Sequence, residues 1–286
     1  MNLNDNKISW PEALATSLRY PPLNQYRNNF SLTDFFLSPS AEELNELANR
    51  IAIASDPLPK FLANHHFEDD SRYYEEIICQ SHVVPTRENN WHDFFNALVW
   101  MQFPRTKRLL SELHQRDIRQ YGLNPRTSRR HHITHFDECG IILAVPSGQI
   151  AKANELLTLL ANHEWERAFI ESKSEWHHTL FPVVFGHAML EMMLHPFVGL
   201  TAKWLAVEVS DDYAELSFHQ RNRVLDHALL ARVESINHFD APRPLKPLPI
   251  LGVPDWYRGQ SESFYANREY FRPLTRQYQW PDFILL

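Results

Sequence analysis

One short run of aliphatic residues constrains the fold of this chain more than any other feature. Residues 141–145 read Ile-Ile-Leu-Ala-Val and lie between Gly140 and Pro146. A continuous apolar segment with such boundaries is typical of a buried strand. We expect residues 133–136 to extend this strand on its N-terminal side. Apolar residues at helical spacing follow over about 149–162, so the strand should lead directly into a helix.

Helical periodicity accounts for most of the remaining chain up to about residue 240. A second strand is predicted over 203–209, where the sequence reads Lys-Trp-Leu-Ala-Val-Glu-Val. The other helices are predicted over about 38–54, 70–80, 90–103, 106–121, 182–194 and 213–237. Since the chain has 286 residues and is 44% hydrophobic, it can bury the core of one large domain. The sequence therefore predicts an α+β fold: a mostly helical single domain with a small sheet.

The two ends of the chain differ in character from the predicted core, which spans 38–240. Residues 1–37 have no clear periodicity and are expected to form an irregular N-terminal arm. Residues 241–286 begin with closely spaced prolines, which exclude a continuous helix. These are Pro242, Pro244, Pro247, Pro249 and Pro254. The sequence predicts a Pro-rich extended C-terminal tail that wraps around the core.

Charge and hydropathy exclude several classes of partner. The net charge is -7, with 28 basic and 35 acidic residues, which makes nucleic acid an unlikely partner and gives no footprint for an anionic membrane. Only the arginines between Arg126 and Arg130 would favour nucleic acid. Residues 1–23 lack the pattern of a signal peptide, and no segment has the ~18 apolar residues of a membrane span. We therefore expect a cytoplasmic protein without a membrane partner, and no feature indicates its oligomeric state.

The small numbers of cysteine and glycine exclude other classes of site. Cys79 and Cys139 are the only two cysteines, too few for a disulfide framework or a thiolate zinc site, and we expect inert thiols. With 7 glycines the chain has no glycine-rich nucleotide-binding loop.

The first candidate site lies at the start of the most apolar predicted helix. His92 and Asn96 are one turn apart on one face, Asp93 is adjacent, and Arg87 precedes them. Polar groups in such a helix are hydrogen-bonded or functional. One interpretation is a structural network at the helix start. The other is a metal site similar to that of HD phosphohydrolases, with His65 or His66 upstream and Asp137 downstream.

Two further candidate sites carry carboxylates and imidazoles. Asp137 and Glu138 precede the apolar strand, where they could bind a metal or transfer protons, or else cap neighbouring backbone. His187 and Glu191 are one helical turn apart, and His195 continues the row. They could bind one ion or form a structural hydrogen bond.

The histidines at 131, 132 and 135 form a less favourable cluster, which we expect in a loop. Arg126, Arg129 and Arg130 lie beside them and disfavour a bound cation. This arginine-rich segment could instead receive a phosphate or a carboxylate.

Several segments together resemble one family. They read VPTR at 84–87, NWHDFFNALVW at 90–100, FPRTK at 103–107, FDE at 136–138, FGHA at 185–188, PLPILGVP at 247–254 and YFRP at 270–273. The chain resembles, over about 73–273, the proteobacterial family catalogued as domain of unknown function 3025. This resemblance implies no activity, cofactor or catalytic residue. The matching segments include His92, Asp93, Asp137, Glu138 and His187, and Glu191 lies at the edge of one.

Our working hypothesis is an enzyme whose cleft joins these sites: a metal-assisted or acid/base hydrolase of a small molecule, which could be phosphorylated. The predicted catalytic residues are His92, Asp93, Asp137, His187 and Glu191. The predicted ligands of a divalent metal are His92, Asp93, Asp137, Glu138 and His187. Cofactor or anion contacts are expected from Arg87, Asn96, Arg105 and Lys107. The alternative is a non-catalytic ligand-binding or interaction protein in which the same groups form a structural core network.

Overall fold

The computed structural model describes residues 8–52, 57–275 and Phe283. In chain order the helices are α1 (Trp10–Ala15), α2 (Asn24–Asn29), α3 (Ala41–Ile51), α4 (Tyr74–Ser81), α5 (Trp91–Gln102), α6 (Pro104–Tyr121), α7 (Ser128–Cys139), α8 (Ile150–Ala161), α9 (His187–Met192), α10 (Phe218–Ser235) and α11 (Glu262–Tyr265). The strands are β1 (Lys60–Ala63), β2 (Val83–Thr86), β3 (Gly140–Pro146), β4 (Phe181–Val184), β5 (Thr201–Val209) and β6 (Lys246–Pro249).

The larger sheet has four strands in the order β4-β3-β5-β6. The central pair, β3 and β5, is parallel, and β4 and β6 are antiparallel edge strands. Every residue of β3 is buried, as its apolar run predicts. A separate parallel pair, β1 and β2, lies near the start of α5. The described residues share one hydrophobic core, and the predicted α+β class is confirmed.

Capping residues define the helices that later build the site. The side chain of Asn90 accepts a hydrogen bond from the backbone N–H of Asp93 and so begins α5. Pro104 begins α6, where its missing N–H costs nothing. Gly122 has a φ of 80° just beyond the end of α6, a conformation that favours glycine.

The segment before β3 is a helix, which corrects the prediction for residues 133–136. Helix α7 begins after Thr127, whose hydroxyl accepts from the backbone N–H of Arg130. Ile133 and Phe136 are three residues apart and share the buried face of α7. The three clustered histidines therefore lie on a helix and not in a loop. Asp137 occupies the last turn of that helix instead of the edge of the sheet.

The helix predicted over 182–194 is also corrected. Residues Phe181–Val184 form β4, which pairs with β3. Val183 and Val184 are β-branched and favour a strand. Pro182 is tolerated because β4 is an edge strand. Helix α9 begins only at His187.

The described parts of both ends contain regular secondary structure, which their sequences did not indicate. In the N-terminal segment, α1 and α2 place Trp10 and Tyr26 in the core. In the C-terminal segment, β6 extends the sheet, and the hydroxyl of Tyr270 donates to the carbonyl of Leu200 over 2.6 Å. Residues 1–7 of the predicted arm and 276–282 and 284–286 of the predicted tail lie outside the described residues. None of the helices in the described ranges combines the length and apolarity needed to cross a membrane.

Candidate active site

A cavity of about 490 Å³ opens between five helices, α4, α5, α6, α7 and α9. Regular spacing explains how each helix contributes to it. On α5, His92, Asn96 and Trp100 are successive residues of one face. On α6, the cavity face carries Lys107 and His114, two turns apart. Because the helices converge, residues that are distant in sequence line one space.

Two histidines meet at the wall of this cavity. Nε2 of His92 lies 3.0 Å from Nε2 of His187. Nδ1 of His92 lies 3.1 Å from Oε2 of Glu191, which is one turn further along α9. Since a carboxylate only accepts hydrogen bonds, the Nδ1 of His92 carries the proton of that bond. The Nε2 of His92 is then an acceptor, and the Nε2–H of His187 donates to it.

Gly186 allows this meeting. A Cβ atom at position 186 would lie 2.4 Å from the carbonyl oxygen of Glu138. The backbone N–H groups of Phe185 and Gly186 both donate to the carbonyl of Gly140, at 3.0 and 2.9 Å. The start of α9 is therefore held against the end of α7, and His187 lies beside Asp137.

A second polar network joins α5, α6 and α7. The ammonium of Lys107 donates to Oδ1 of Asp137 over 2.5 Å and to Oδ1 of Asn96 over 2.9 Å. Nδ2 of Asn96 donates to the hydroxyl of Tyr74 over 3.0 Å. The Lys107 side chain is only 5% exposed, so its charge requires these partners. Oδ2 of Asp137 lies 3.8 Å from Nδ1 of His187, which connects the network to the histidine pair.

Burial and charge determine the protonation of the groups in this network. Burial lowers the pKa of His187 to about 3; Asp137 opposes that shift, and Lys107 adds to it. Burial alone would raise the pKa of Asp137, but Lys107 and His187 outweigh it and lower the pKa. At neutral pH, His187 is therefore a neutral imidazole beside an ionised carboxylate.

Arg87 and Asp93, which were also predicted as site residues, form an ion pair with a structural role at the cavity. The guanidinium of Arg87 binds both carboxylate oxygens of Asp93, at 2.9 and 2.8 Å. The backbone N–H of Arg87 also donates to Asp93 over 2.7 Å. These bonds attach the loop after β2 to the first turn of α5. Arg87 and Asp93 both line the cavity, but the carboxylate oxygens of Asp93 are already bound by Arg87.

The remaining predicted residues divide between the cavity and other places. Glu138 lines the cavity, and Glu191 reaches it only through His92. Arg105 lines a different pocket, where its backbone N–H donates to Asp226. Among the described residues, no three His, Cys, Asp or Glu side chains are grouped so that they could hold one metal ion. The predicted metal-ligand set is thus not assembled as such a group.

The cavity-lining residues that the sequence did not single out include Glu75, Trp100 and His114, whereas Arg126 belongs to the segment that was expected to receive a phosphate or a carboxylate. Burial raises the pKa of Glu75 and lowers that of His114 to about 4. The spacing of Lys107, Ser111 and His114 on α6 was a usable signal. Glu75 has no comparable pattern.

The comparisons with known proteins gave one match. No curated protein and no solved structure matches the chain. The family described as "Protein of unknown function (DUF3025)" matches residues 59–275. This range includes every cavity-lining residue, from Asn64 to His187, as well as Glu191. Because the match covers most of the sequence, the chain belongs to the DUF3025 family.

Proposed function

We propose that the cavity is the active site of an acid/base hydrolase that acts on a small molecule. The observation that carries this proposal is the chain of contacts from Glu191 to His92 to His187 at the cavity wall. A carboxylate that orients an imidazole, whose other nitrogen faces a cavity, is the arrangement that a general base requires.

His92 is the proposed base. Its side chain is 34% exposed, so water and substrate can reach it. Glu191 holds the Nδ1–H and stabilises the imidazolium that forms when Nε2 takes a proton from water. The water oxygen then bonds to the electrophilic centre of the substrate. His92 afterwards returns the proton to the leaving group, so the ring ends in its starting state.

His187 is the proposed hydrogen-bond donor to the transition state. Its neutral Nε2–H donates to His92 at rest. That bond breaks when the substrate and water enter, which frees Nε2 of His92 to take the proton of water and frees the N–H of His187 to donate to the developing oxyanion. A buried neutral donor is effective in this role because little solvent has to reorganise around it.

The other polar groups are assigned to positioning. Lys107 keeps Asp137 ionised beside His187, and Asn96 holds Lys107 in turn. Arg87 and Asp93 stabilise the start of α5 and therefore the position of His92. These five residues shape the site without touching the reacting atoms.

The second candidate function is a non-catalytic ligand-binding protein. The closed network of Lys107, Asp137, Asn96 and Tyr74 favours it, because each member has a partner as in a structural core. In that case the histidine pair would contribute to stability and not to turnover.

Assays of p-nitrophenyl phosphate and p-nitrophenyl ester hydrolysis by the purified protein test which of the two functions is correct. His92→Gln is compared with His178→Gln, which replaces an exposed histidine outside the cavity. We expect His92→Gln to lower kcat by about 10²–10⁴-fold, the usual contribution of general acid/base catalysis, while His178→Gln has no effect. Equal rates for the two variants, or no turnover by the wild type, would overturn the hydrolase proposal.

A further inference from the structure

We infer that the part of the cavity around Arg126 binds an oxyanion, so that the substrate is a small organic anion carrying a phosphate or carboxylate. It rests on the proposed function only in that the bound anion is a substrate. The binding site is formed by residues other than the histidine pair.

Arg126 differs from the other cationic residues of the cavity in its contacts. Arg87 is bound by both oxygens of Asp93, and Lys107 is bound by Asp137 and Asn96. Arg126 lines the same cavity and forms no hydrogen bond or salt bridge with any described residue. Its planar guanidinium is therefore available for a bidentate interaction with a ligand oxyanion.

Two buried side chains that line the cavity also carry polar atoms without partners. Trp100 is 2% exposed and His114 is 6% exposed, and both line it. Nε1 of Trp100 and Nδ1 of His114 have no hydrogen-bond partner among the described residues. An indole N–H can only donate, so its partner must be an acceptor. Buried polar atoms without partners are rare in folded proteins, and an acceptor-rich ligand would satisfy them.

The carboxylates that line the cavity repel a bound anion less strongly than their number suggests. The charge of Asp137 is balanced by Lys107 at 2.5 Å. Burial raises the pKa of Glu75 by more than the charges of Arg126 and Arg130 lower it. Glu138 is solvent-exposed, where water screens its charge.

A buried arginine adds to the positive potential on this side. Arg130 is 1% exposed, and its guanidinium donates to the carbonyl of Leu123 over 2.8 Å. Together with Arg126 it lowers the pKa of His114, after the larger effect of burial. The anion contact expected from Arg87, Arg105 and Lys107 is thus assigned to Arg126 instead.

Isothermal titration with inorganic phosphate and, separately, with acetate at constant ionic strength tests the inference. The full chain is compared with Arg126→Gln and with Arg116→Gln, a matched charge change at an exposed position of α6 outside the cavity. We expect the wild type and Arg116→Gln to bind equally, and Arg126→Gln to bind at least about tenfold more weakly, as for loss of a charge-assisted bidentate contact. Trp100→Phe, which keeps an aromatic ring and removes the N–H donor, should weaken binding by a smaller factor.

The pattern of binding identifies the ligand class. Phosphate binding alone supports a phosphorylated substrate, acetate binding alone a carboxylate, and binding of both a general oxyanion site. No binding of either anion, or equal binding by the Arg126 and Arg116 variants, overturns the inference. Because this readout needs no turnover, it can fail while His92→Gln still abolishes hydrolysis, or succeed while the hydrolase proposal fails.

Discussion

The Nε2 atoms of His92 and His187 lie 3.0 Å apart, although the residues are 95 positions apart in the chain. Each ring has its Nδ1 atom towards a carboxylate, Glu191 at 3.1 Å and Asp137 at 3.8 Å. Only one of the two facing nitrogens can carry a proton while the pair is neutral. The pair is therefore a donor and an acceptor in direct contact, and proton transfer to one ring frees the other.

Glu191→Gln should lower turnover without lowering stability. The amide can still contact His92 but no longer stabilises its imidazolium, so we expect kcat to fall by about 10²-fold or more. The Glu191 side chain is 37% exposed, and loss of its negative charge should leave the thermal unfolding temperature unchanged. Glu155→Gln, an exposed carboxylate on α8, is the control. Normal turnover by Glu191→Gln would remove Glu191 from the mechanism.

Asp93→Asn should retain turnover, although Asp93 is adjacent to His92. Its carboxylate oxygens bind Arg87, whose side chain is 54% exposed, so we expect a loss of at most about 1 kcal/mol in unfolding free energy. Urea titration and the p-nitrophenyl assays measure the two effects. If Asp93→Asn loses as much activity as His92→Gln, the adjacent pair acts chemically, as a metal or acid/base unit would.

Stability should fall as the pH is lowered from 7 to 5. Two buried histidines, His187 and His114, have pKa values of about 3 and about 4 in the folded protein, against an ordinary 6.5. Below pH 6.5 the unfolded chain binds protons that the folded chain does not, so each histidine costs on the order of 1–2 kcal/mol by pH 5. Asp137 has a lowered pKa and contributes in a separate window, below its ordinary value of 3.8.

Urea unfolding at a series of pH values measures this dependence. His114→Gln and His187→Asn should each flatten the slope between pH 7 and pH 5. A slope that is the same in both variants as in the wild type would show that these imidazoles are not held neutral by the fold.

Gly186→Ala should destabilise the protein and separate the two histidines. Its Cβ would lie 2.4 Å from the carbonyl oxygen of Glu138, which is backbone and cannot move aside cheaply. We expect a loss of about 1–3 kcal/mol, typical of overpacking, together with reduced turnover. Chemical denaturation measures the loss. An alanine at 186 with wild-type stability would contradict the close packing of α7 and α9.

Asp226→Ala should destabilise the start of α6. Asp226 is 3% exposed, and it accepts from the backbone N–H groups of Arg105 and Thr106 over 3.0 and 2.9 Å. Because two helix N-terminal donors would lose their partner, we expect a cost of about 1–3 kcal/mol. Asp226→Asn should recover part of it, while Asp212→Ala, at an exposed position, should cost nothing measurable in the same thermal unfolding experiment.

The elements that could be predicted were those whose signals are local. The apolar run of β3 depends on neighbouring residues alone, and its prediction as a buried strand is confirmed. The sequence offered Asn89 or Asn90 as the cap of α5, and the structure selects Asn90. The prediction of a strand over 133–136 was wrong because Ile133 and Phe136 suit a strand or a helix equally in so short a run. Burial against β5, a tertiary contact, selects the helix.

In the candidate site, too, local patterns could be predicted and tertiary contacts could not. Helical spacing paired His187 with Glu191, but Glu191 instead contacts His92, on a different helix. The close approach of Gly186 to the backbone of Glu138 depends on the path of α7, and no sequence pattern indicates it. Trp100 shares a face of α5 with His92 and Asn96, but periodicity cannot show that a core indole also borders a cavity.

The cavity draws its lining from residues 64–187. Strands β5 and β6 and helix α10 support that region from behind through the sheet and the core. The proposed chemistry thus lies mainly in the middle portion of the chain, and β5, β6 and α10 contribute to it through packing. Changes there should decide how much folded protein accumulates, whereas changes in the middle portion should decide which molecules it recognises.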